Sequence, residues 1–209
     1  MYDVTVVGGG PAGATAAQEL AKMGRKVALI DKAGRIKPCG GAIPPILIND
    51  FEIPDEQVVA KIKTARMISP TARKVDMPIE NGFVGMVDRE NFDDYLRKRA
   101  VNSGAVLLVG SFVKIRRTDK IVSVVYRDKK SRQETEILTR AVIAADGARS
   151  NVARAEMPGG KTIPYVIAYH EIIKAPKTES YDPDRCDVIY DGKISPDFYG
   201  WIFPHGKVA

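Results

Sequence analysis

The chain has 209 residues, 44% of them apolar, enough to bury a real core and to exclude a disordered polymer. Its net charge of +6 comes from 32 Lys and Arg against 26 Asp and Glu, mixed along the chain, which excludes a segregated basic tail. Two cysteines, Cys39 and Cys186, are too few for a disulfide framework or a four-ligand zinc site and agree with a reducing, cytoplasmic compartment.

No window approaches the roughly 18 apolar residues of a membrane span, and the N-terminus enters a strand pattern without a basic flank or cleavage site. A soluble or peripherally attached protein is expected. The basic run Arg127-Asp128-Lys129-Lys130-Ser131-Arg132 reads as a solvated hairpin tip. No aromatic platform accompanies it, so nucleic acid is not an expected partner.

Asp3 to Val7 is a β-rich run, followed by Gly8-Gly9-Gly10-Pro11-Ala12-Gly13. Pro11 to Met23 favours helix, Gly24 suits its C-terminal cap, and Lys26 to Ile30 is a second strand ending at Asp31. This is a βαβ unit. Glycines at such a turn let backbone and helix approach a pyrophosphate, whose charge is favoured at a helix N-terminus. Asp31 stands where a carboxylate accepts hydrogen bonds from ribose hydroxyls and would repel a 2′-phosphate. FAD or NAD fits; NADP does not fit this particular site.

Ala33 to Pro45 is irregular and rich in Gly and Pro, with Cys39-Gly40-Gly41 at its centre; such a segment beside a nucleotide site is often functional. Ala65 to Ile68, Lys74 to Ile79 and Phe83 to Val87 read as antiparallel strands separated by turns at Pro70 and Asn81-Gly82. Asp88 can cap a helix whose Phe92, Leu96 and Ala100 share one face, with Tyr95 and Arg99 flanking it and Gly104 closing it. Separate strands are expected at Val106 to Val109, Phe112 to Arg116, Ile121 to Tyr126 and Glu134 to Leu138. Ala141 to Ala145 reads as a buried parallel strand delivering Asp146-Gly147. Tyr165 to Ile173 and Val188 to Tyr190 read as sheet strands. Tyr199, Trp201 and Phe203 alternate onto one face. His170 and His205 lack ligand spacing and read as structural residues.

Val87-Asp88-Arg89-Glu90-Asn91-Phe92-Asp93 and Ala145-Asp146-Gly147-Ala148-Arg149-Ser150 resemble two signatures of flavoproteins of the para-hydroxybenzoate hydroxylase type. Lys37-Pro38-Cys39-Gly40-Gly41-Ala42-Ile43-Pro44 and Tyr199-Gly200-Trp201-Ile202-Phe203-Pro204 resemble, within that family, the geranylgeranyl reductases of the chlorophyll and bacteriochlorophyll branch. The likeness covers nearly the whole chain, including Gly82 to Arg89. It implies an α/β fold, a Rossmann-like FAD-binding domain with an interleaved antiparallel β substrate-binding domain. Residues 1–63 and 86–160 are expected to form the first and residues 64–85 and 161–209 the second. It also implies a C-terminally truncated chain, without the family's later flavin-holding segment, so both domains are expected to be incomplete.

The resemblance implies that Gly8, Gly10, Pro11, Ala12, Gly13, Asp31, Lys32, Gly40, Gly41, Arg89, Asp146 and Gly147 serve FAD. NADPH is the implied electron donor. The implied reaction saturates isolated double bonds of a geranylgeranyl tail, on a prenylated pigment or an isoprenoid diphosphate, with peripheral contact to the photosynthetic membrane. An isolated alkene is not electrophilic, so hydride delivery must be coupled to a proton donor. Cys39 is the candidate, as acid or as positioning group; the other reading is a small residue packed where a larger one would collide with the flavin. Tyr199, Trp201 and Phe203 suit an apolar wall for the isoprenoid, or an ordinary sheet core; the resemblance favours the wall. The alternatives are an aromatic monooxygenase on the same fold, or a non-catalytic nucleotide-binding portion.

Overall fold

The computed structural model describes residues 1–34, 39–118 and 121–209. Its elements in chain order are β1 (Tyr2–Val7), α1 (Pro11–Lys22), β2 (Val27–Asp31), β3 (Ala42–Ile43), α2 (Pro45–Asp50), a 3-10 turn (Asp55–Gln57), β4 (Ala60–Ile62) and β5 (Thr64–Ile68). There follow β6 (Lys74–Pro78), β7 (Val84–Met86), α3 (Arg89–Asn102), β8 (Val106–Arg117), β9 (Val122–Asp128), β10 (Glu134–Ala144), α4 (Asn151–Glu156), β11 (Arg185–Ile189) and β12 (Gly200–Ile202). Among the described residues no helix is long and apolar enough to cross a membrane.

The chain divides into two compact units, residues 1–35 with 93–165 and residues 36–92 with 166–209. Residues 39–63 thus group with the second unit, where β3 and β4 both pair with β7.

In the first unit β1 lies between β2 and β10, and β2 pairs with the start of β8, all in parallel. The far halves of β8 and β10 sandwich β9 in an antiparallel meander, so the five strands close into a ring in the order β1-β10-β9-β8-β2. The apolar runs of β1 and β2 are buried on both faces, as central parallel strands require. Val6, Val27 and Leu29 pack with Ala17 of α1 and Ala100 of α3 on one face. Val7 and Ile30 pack with Val124, Tyr126 and Val152 on the other. Ala14 and Ala17 of α1 are fully buried, and their small size lets the helix lie close to the strands. Gly24 ends α1 at φ +74°, with its N–H on the Ala21 carbonyl.

Two expectations are corrected here. Val106 to Val109 and Phe112 to Arg116 belong to one strand, β8, and Glu134 to Leu138 and Ala141 to Ala145 likewise merge into β10. The reason is that each long strand changes partner without stopping: β8 passes from parallel β2 to antiparallel β9, with a slip in register between Phe112 and Lys114 in the β9 pairing, and β10 passes from antiparallel β9 to parallel β1.

The second unit holds a four-stranded sheet, β12-β11-β5-β6, and a small one, β3-β7-β4. The larger is mixed: β5 and β11 run parallel, and the other pairs are antiparallel. Ile62, Met86 and Cys186 form its buried core with Phe203 against them. The strand expected over Tyr165 to Ile173 does not form. Strand propensity needs a ladder to satisfy the backbone; among the described residues the segment's β-like pairing is confined to the Ile173 and Ala209 peptides, which exchange two hydrogen bonds of 3.0 Å, and a bridge from Lys174 to Val208.

Candidate functional site

The glycine turn of the first unit is built by close approach. Gly8 has φ +102°, and a Cβ on it would stand 2.3 Å from the Ala145 carbonyl oxygen at the end of β10. A Cβ on Gly13 would stand 1.8 Å from the Gly8 carbonyl oxygen. On Gly9 it would meet Asp31 Cβ at 2.8 Å and Arg97 Cδ at 3.0 Å. The three glycines therefore seat the turn against β2, α3 and the Ala145-Asp146 peptide.

Gly10 is the N-cap of α1 and offers no side chain to it; Pro11 opens the helix, and its first turn carries no acid. The amide end of α1, where Pro11 and Ala12 are exposed, is thus left to an external anion. Asp31, at the end of β2, accepts from the Gly9 N–H at 2.7 Å through Oδ2 and from the Ala33 N–H at 2.8 Å through Oδ1. Each oxygen keeps a lone pair for a hydroxyl. Lys32 is exposed beside it. These residues fit the adenosine diphosphate half of FAD.

Asp146 has a local structural partner set. Its carboxylate accepts from the Ser150 hydroxyl and from the Asn151 and Val152 N–H groups at 2.7 and 3.2 Å, and so stitches down the start of α4. Gly147, φ +88°, makes the turn before it and has open space where a side chain would be.

Arg97 was not legible as a site residue. Phe92, Asp93, Leu96, Arg97 and Ala100 form the buried stripe of α3, and the pattern signal was the presence of two charged residues, spaced i and i+4, inside it. Arg97 Nη1 lies 3.5 Å from Asp31 Oδ1 and donates to the Gly9 carbonyl at 3.3 Å.

The second unit carries the other candidates. Arg89 opens α3, partly buried, after Asp88, whose carboxylate caps the helix by accepting from the Glu90 N–H at 3.0 Å and also accepts from the Asn91 side-chain Nδ2 at 3.0 Å. Cys39 is exposed, its Sγ 3.5 Å from the Gly41 N–H; Lys37 and Pro38 of the same motif lie outside the described residues. Gly40 lies against an aromatic ring, for a Cβ there would stand 2.4 Å from Phe203 Cδ2. Gly41, φ +69°, would clash with the Val87 carbonyl at 2.2 Å.

Tyr199, Trp201 and Phe203 come together as the alternation predicts, with ring centroids 6.2 and 6.4 Å apart in succession. With Gly40, Ile189 and Ile194 they line a cavity of about 830 Å³ inside this unit. Its sheet floor is Ile68, Ile189, Arg66 and Asp187, neighbours across β5 and β11. His170 and His205, read from sequence as structural, also line it; the His170 ring is 6.2 Å from Trp201, and His205 Nδ1 is 3.1 Å from the Phe203 carbonyl. Cys186, buried behind the aromatics, has its thiol pushed up to about 12, first by burial and then by Asp187. Among the described residues no cluster of His, Cys, Asp and Glu could hold a metal ion.

The family model for pyridine nucleotide-disulphide oxidoreductases matches residues 2–185. The chain is 65% identical over 209 residues to geranylgeranyl diphosphate reductase of Rhodobacter capsulatus, covering all of this chain and 53% of that protein. It is 38% identical over 215 residues to the chloroplastic geranylgeranyl diphosphate reductase of Oryza sativa subsp. japonica, covering 96% of this chain and 46% of that one. Among solved structures it resembles a geranylgeranyl bacteriochlorophyll reductase-like protein of Thermoplasma acidophilum, with a TM-score of 0.79 and 28% identity over 99% of this chain and 54% of that one. The chain spans about half the length of the curated relatives it matches.

Proposed function

We propose, given that the chain belongs to the pyridine nucleotide-disulphide oxidoreductase family, that it works as an FAD-dependent reductase of geranylgeranyl chains. The observation that carries the reading is the pairing of two sites of different character. One unit has a glycine turn, an open helix N-terminus and Asp31, suited to a dinucleotide; the other has an aromatic-walled cavity suited to a hydrocarbon. The likeness to geranylgeranyl diphosphate reductases supplies the substrate class.

In this reading Gly8, Gly10, Pro11, Ala12 and Gly13 cradle the pyrophosphate at the start of α1, and Asp31 accepts from the ribose. Lys32, Gly40, Gly41, Arg89, Asp146 and Gly147 complete the cofactor's surroundings. FAD, when bound and reduced, supplies hydride to one carbon of the alkene, with NADPH as the electron donor. Tyr199, Trp201 and Phe203 hold the isoprenoid by apolar burial, about 25 cal/mol for each Å² removed from water, and exclude water from the reacting bond. Cys39, exposed and next to the cavity-lining Gly40, is the proposed proton donor or positioning group. The substrate is a prenylated pigment or isoprenoid diphosphate, met by a cytoplasmic protein in peripheral contact with the membrane.

The test is an anaerobic incubation of the full-length protein with NADPH and either geranylgeranylated pigment or geranylgeranyl diphosphate, read by mass spectrometry. Product masses rising in steps of two hydrogens are expected. With FAD bound and reduced, no mass gain on either substrate overturns the assignment, and a product that forms only with oxygen points to a monooxygenase.

A further inference from the structure

The nucleotide site contains a charged residue that its motif does not account for. Arg97 has a side chain only 7% exposed, and its Nε finds no hydrogen-bond partner in the structure. A guanidinium stays ionised when buried, so it needs carboxylates near it. Among the described residues the two it reaches are Asp31 at 3.5 Å and the half-exposed Asp94 at 3.4 Å.

The geometry ties Arg97 to the Gly9 peptide as well. Asp31 Oδ2 holds that residue by its N–H, and Arg97 Nη1 holds it by its carbonyl. The space a Gly9 side chain would fill is occupied by Asp31 Cβ and Arg97 Cδ together. Asp31, Gly9 and Arg97 thus form one packed unit, in which the Ala33 and Gly9 N–H groups fix the carboxylate plane and Arg97 places its charge beside Oδ1.

We infer that Arg97 is the positioning residue of the adenosine-ribose site: it holds the Asp31 carboxylate in the orientation that accepts the two ribose hydroxyls, without touching the nucleotide itself. The inference rests on reading the first unit as a nucleotide site. A merely architectural role, pinning α3 to the glycine turn, would weaken binding of every adenine nucleotide alike. A positioning role acts on the hydroxyls alone.

The probe is therefore a ratio. ADP and 2′,3′-dideoxy-ADP are titrated by calorimetry into FAD-stripped full-length protein, with the thermal midpoint of each variant recorded alongside. Wild type is expected to prefer ADP by about tenfold or more, since each hydroxyl donates to a charged acceptor. Arg97→Met is expected to reduce the preference to about threefold, and Arg97→Lys to restore part of it. On an Asp31→Asn background, Arg97→Met should change the ratio no further, because the two residues act as one. Where Arg97→Met does not fold, Arg97→Gln takes its place, with the same fall to about threefold expected. A ratio equal to wild type in folded Arg97 variants overturns the inference and leaves the nucleotide site standing. Wild type that binds neither ADP nor FAD overturns the nucleotide reading, and this inference with it.

Discussion

Gly13→Ala sets two known effects against each other with opposite signs. Gly13 lies inside α1, where alanine is favoured over glycine by about 1 kcal/mol, so helix propensity alone predicts a more stable protein. The packing predicts the reverse. The new Cβ would stand 1.8 Å from the Gly8 carbonyl oxygen and 3.0 Å from Ala145 Cβ, and the first atom is backbone in a turn with no slack. Reaching even 3.0 Å means lifting α1 off β1 by about 1.2 Å. Overpacking of this kind costs roughly 3 kcal/mol, leaving a net loss of about 2 kcal/mol, or roughly 4–8 °C in thermal midpoint for a chain of this size. The same lift withdraws the helix amides from the pyrophosphate, so FAD uptake, read by quenching of flavin fluorescence, should fall by at least about tenfold. Gly24→Ala, at the other end of α1, is the control: it has a positive φ but open space, and loses only the roughly 1–2 kcal/mol of left-handed strain. A Gly13→Ala protein that melts at or above the wild-type temperature and binds FAD normally would refute the reasoning.

Three further outcomes follow from the same contacts. Gly40→Ala drives a methyl group into Phe203 and beside Trp201, the sole tryptophan of the chain; its emission maximum should shift while stability drops by about 1–3 kcal/mol, and an unchanged spectrum counts against the packing. Asp146→Ala removes the acceptor for the Asn151 and Val152 N–H groups that start α4, at a cost of about 1–2 kcal/mol seen in denaturant titration; no loss would mean these two bonds carry no stability. Cys39 is exposed and Cys186 is buried with its thiol held near 12, so a chromogenic disulfide at pH 8 should find one fast thiol in the native chain and two after unfolding. The folded state keeps the Cys186 proton above the ordinary value of 9 while the unfolded state loses it. Stability should therefore fall as pH rises from about 9 to 12, by up to about 1.4 kcal/mol per pH unit from this group; a flat profile would contradict the burial.

What sequence could and could not reveal divides along physical lines. β1, α1 and β2 were legible within a residue or so, because period, capping and the glycine turn all agree there. The junctions inside β8 and β10 were not, since Gly110-Ser111 and Thr139-Arg140 look like breaks and only the exchange of partners keeps the strands continuous. The 165–173 segment shows the converse, β-branched residues without a ladder to join. The short helix α2 opens at Pro45, where Gly and Pro had suggested only irregular chain. Of the candidate residues, the turn glycines and Asp31 are singled out by their spacing, and the structure brings them together. Arg97 is not so singled out, because its meaning comes from two residues far upstream that the fold delivers to it.

The ring of five strands has a consequence for how the protein is made. β1 precedes every other strand of the ring in chain order, yet its second neighbour, β10, ends at Ala144, and Gly8 is held against Ala145. The glycine turn cannot take its final shape until some 140 residues have followed it, a strongly non-local pairing of the kind that slows folding. During synthesis the apolar edge of β1 waits unpaired for its partner. A chain interrupted anywhere before β10 would carry the complete glycine signature and lack the surface that gives it form.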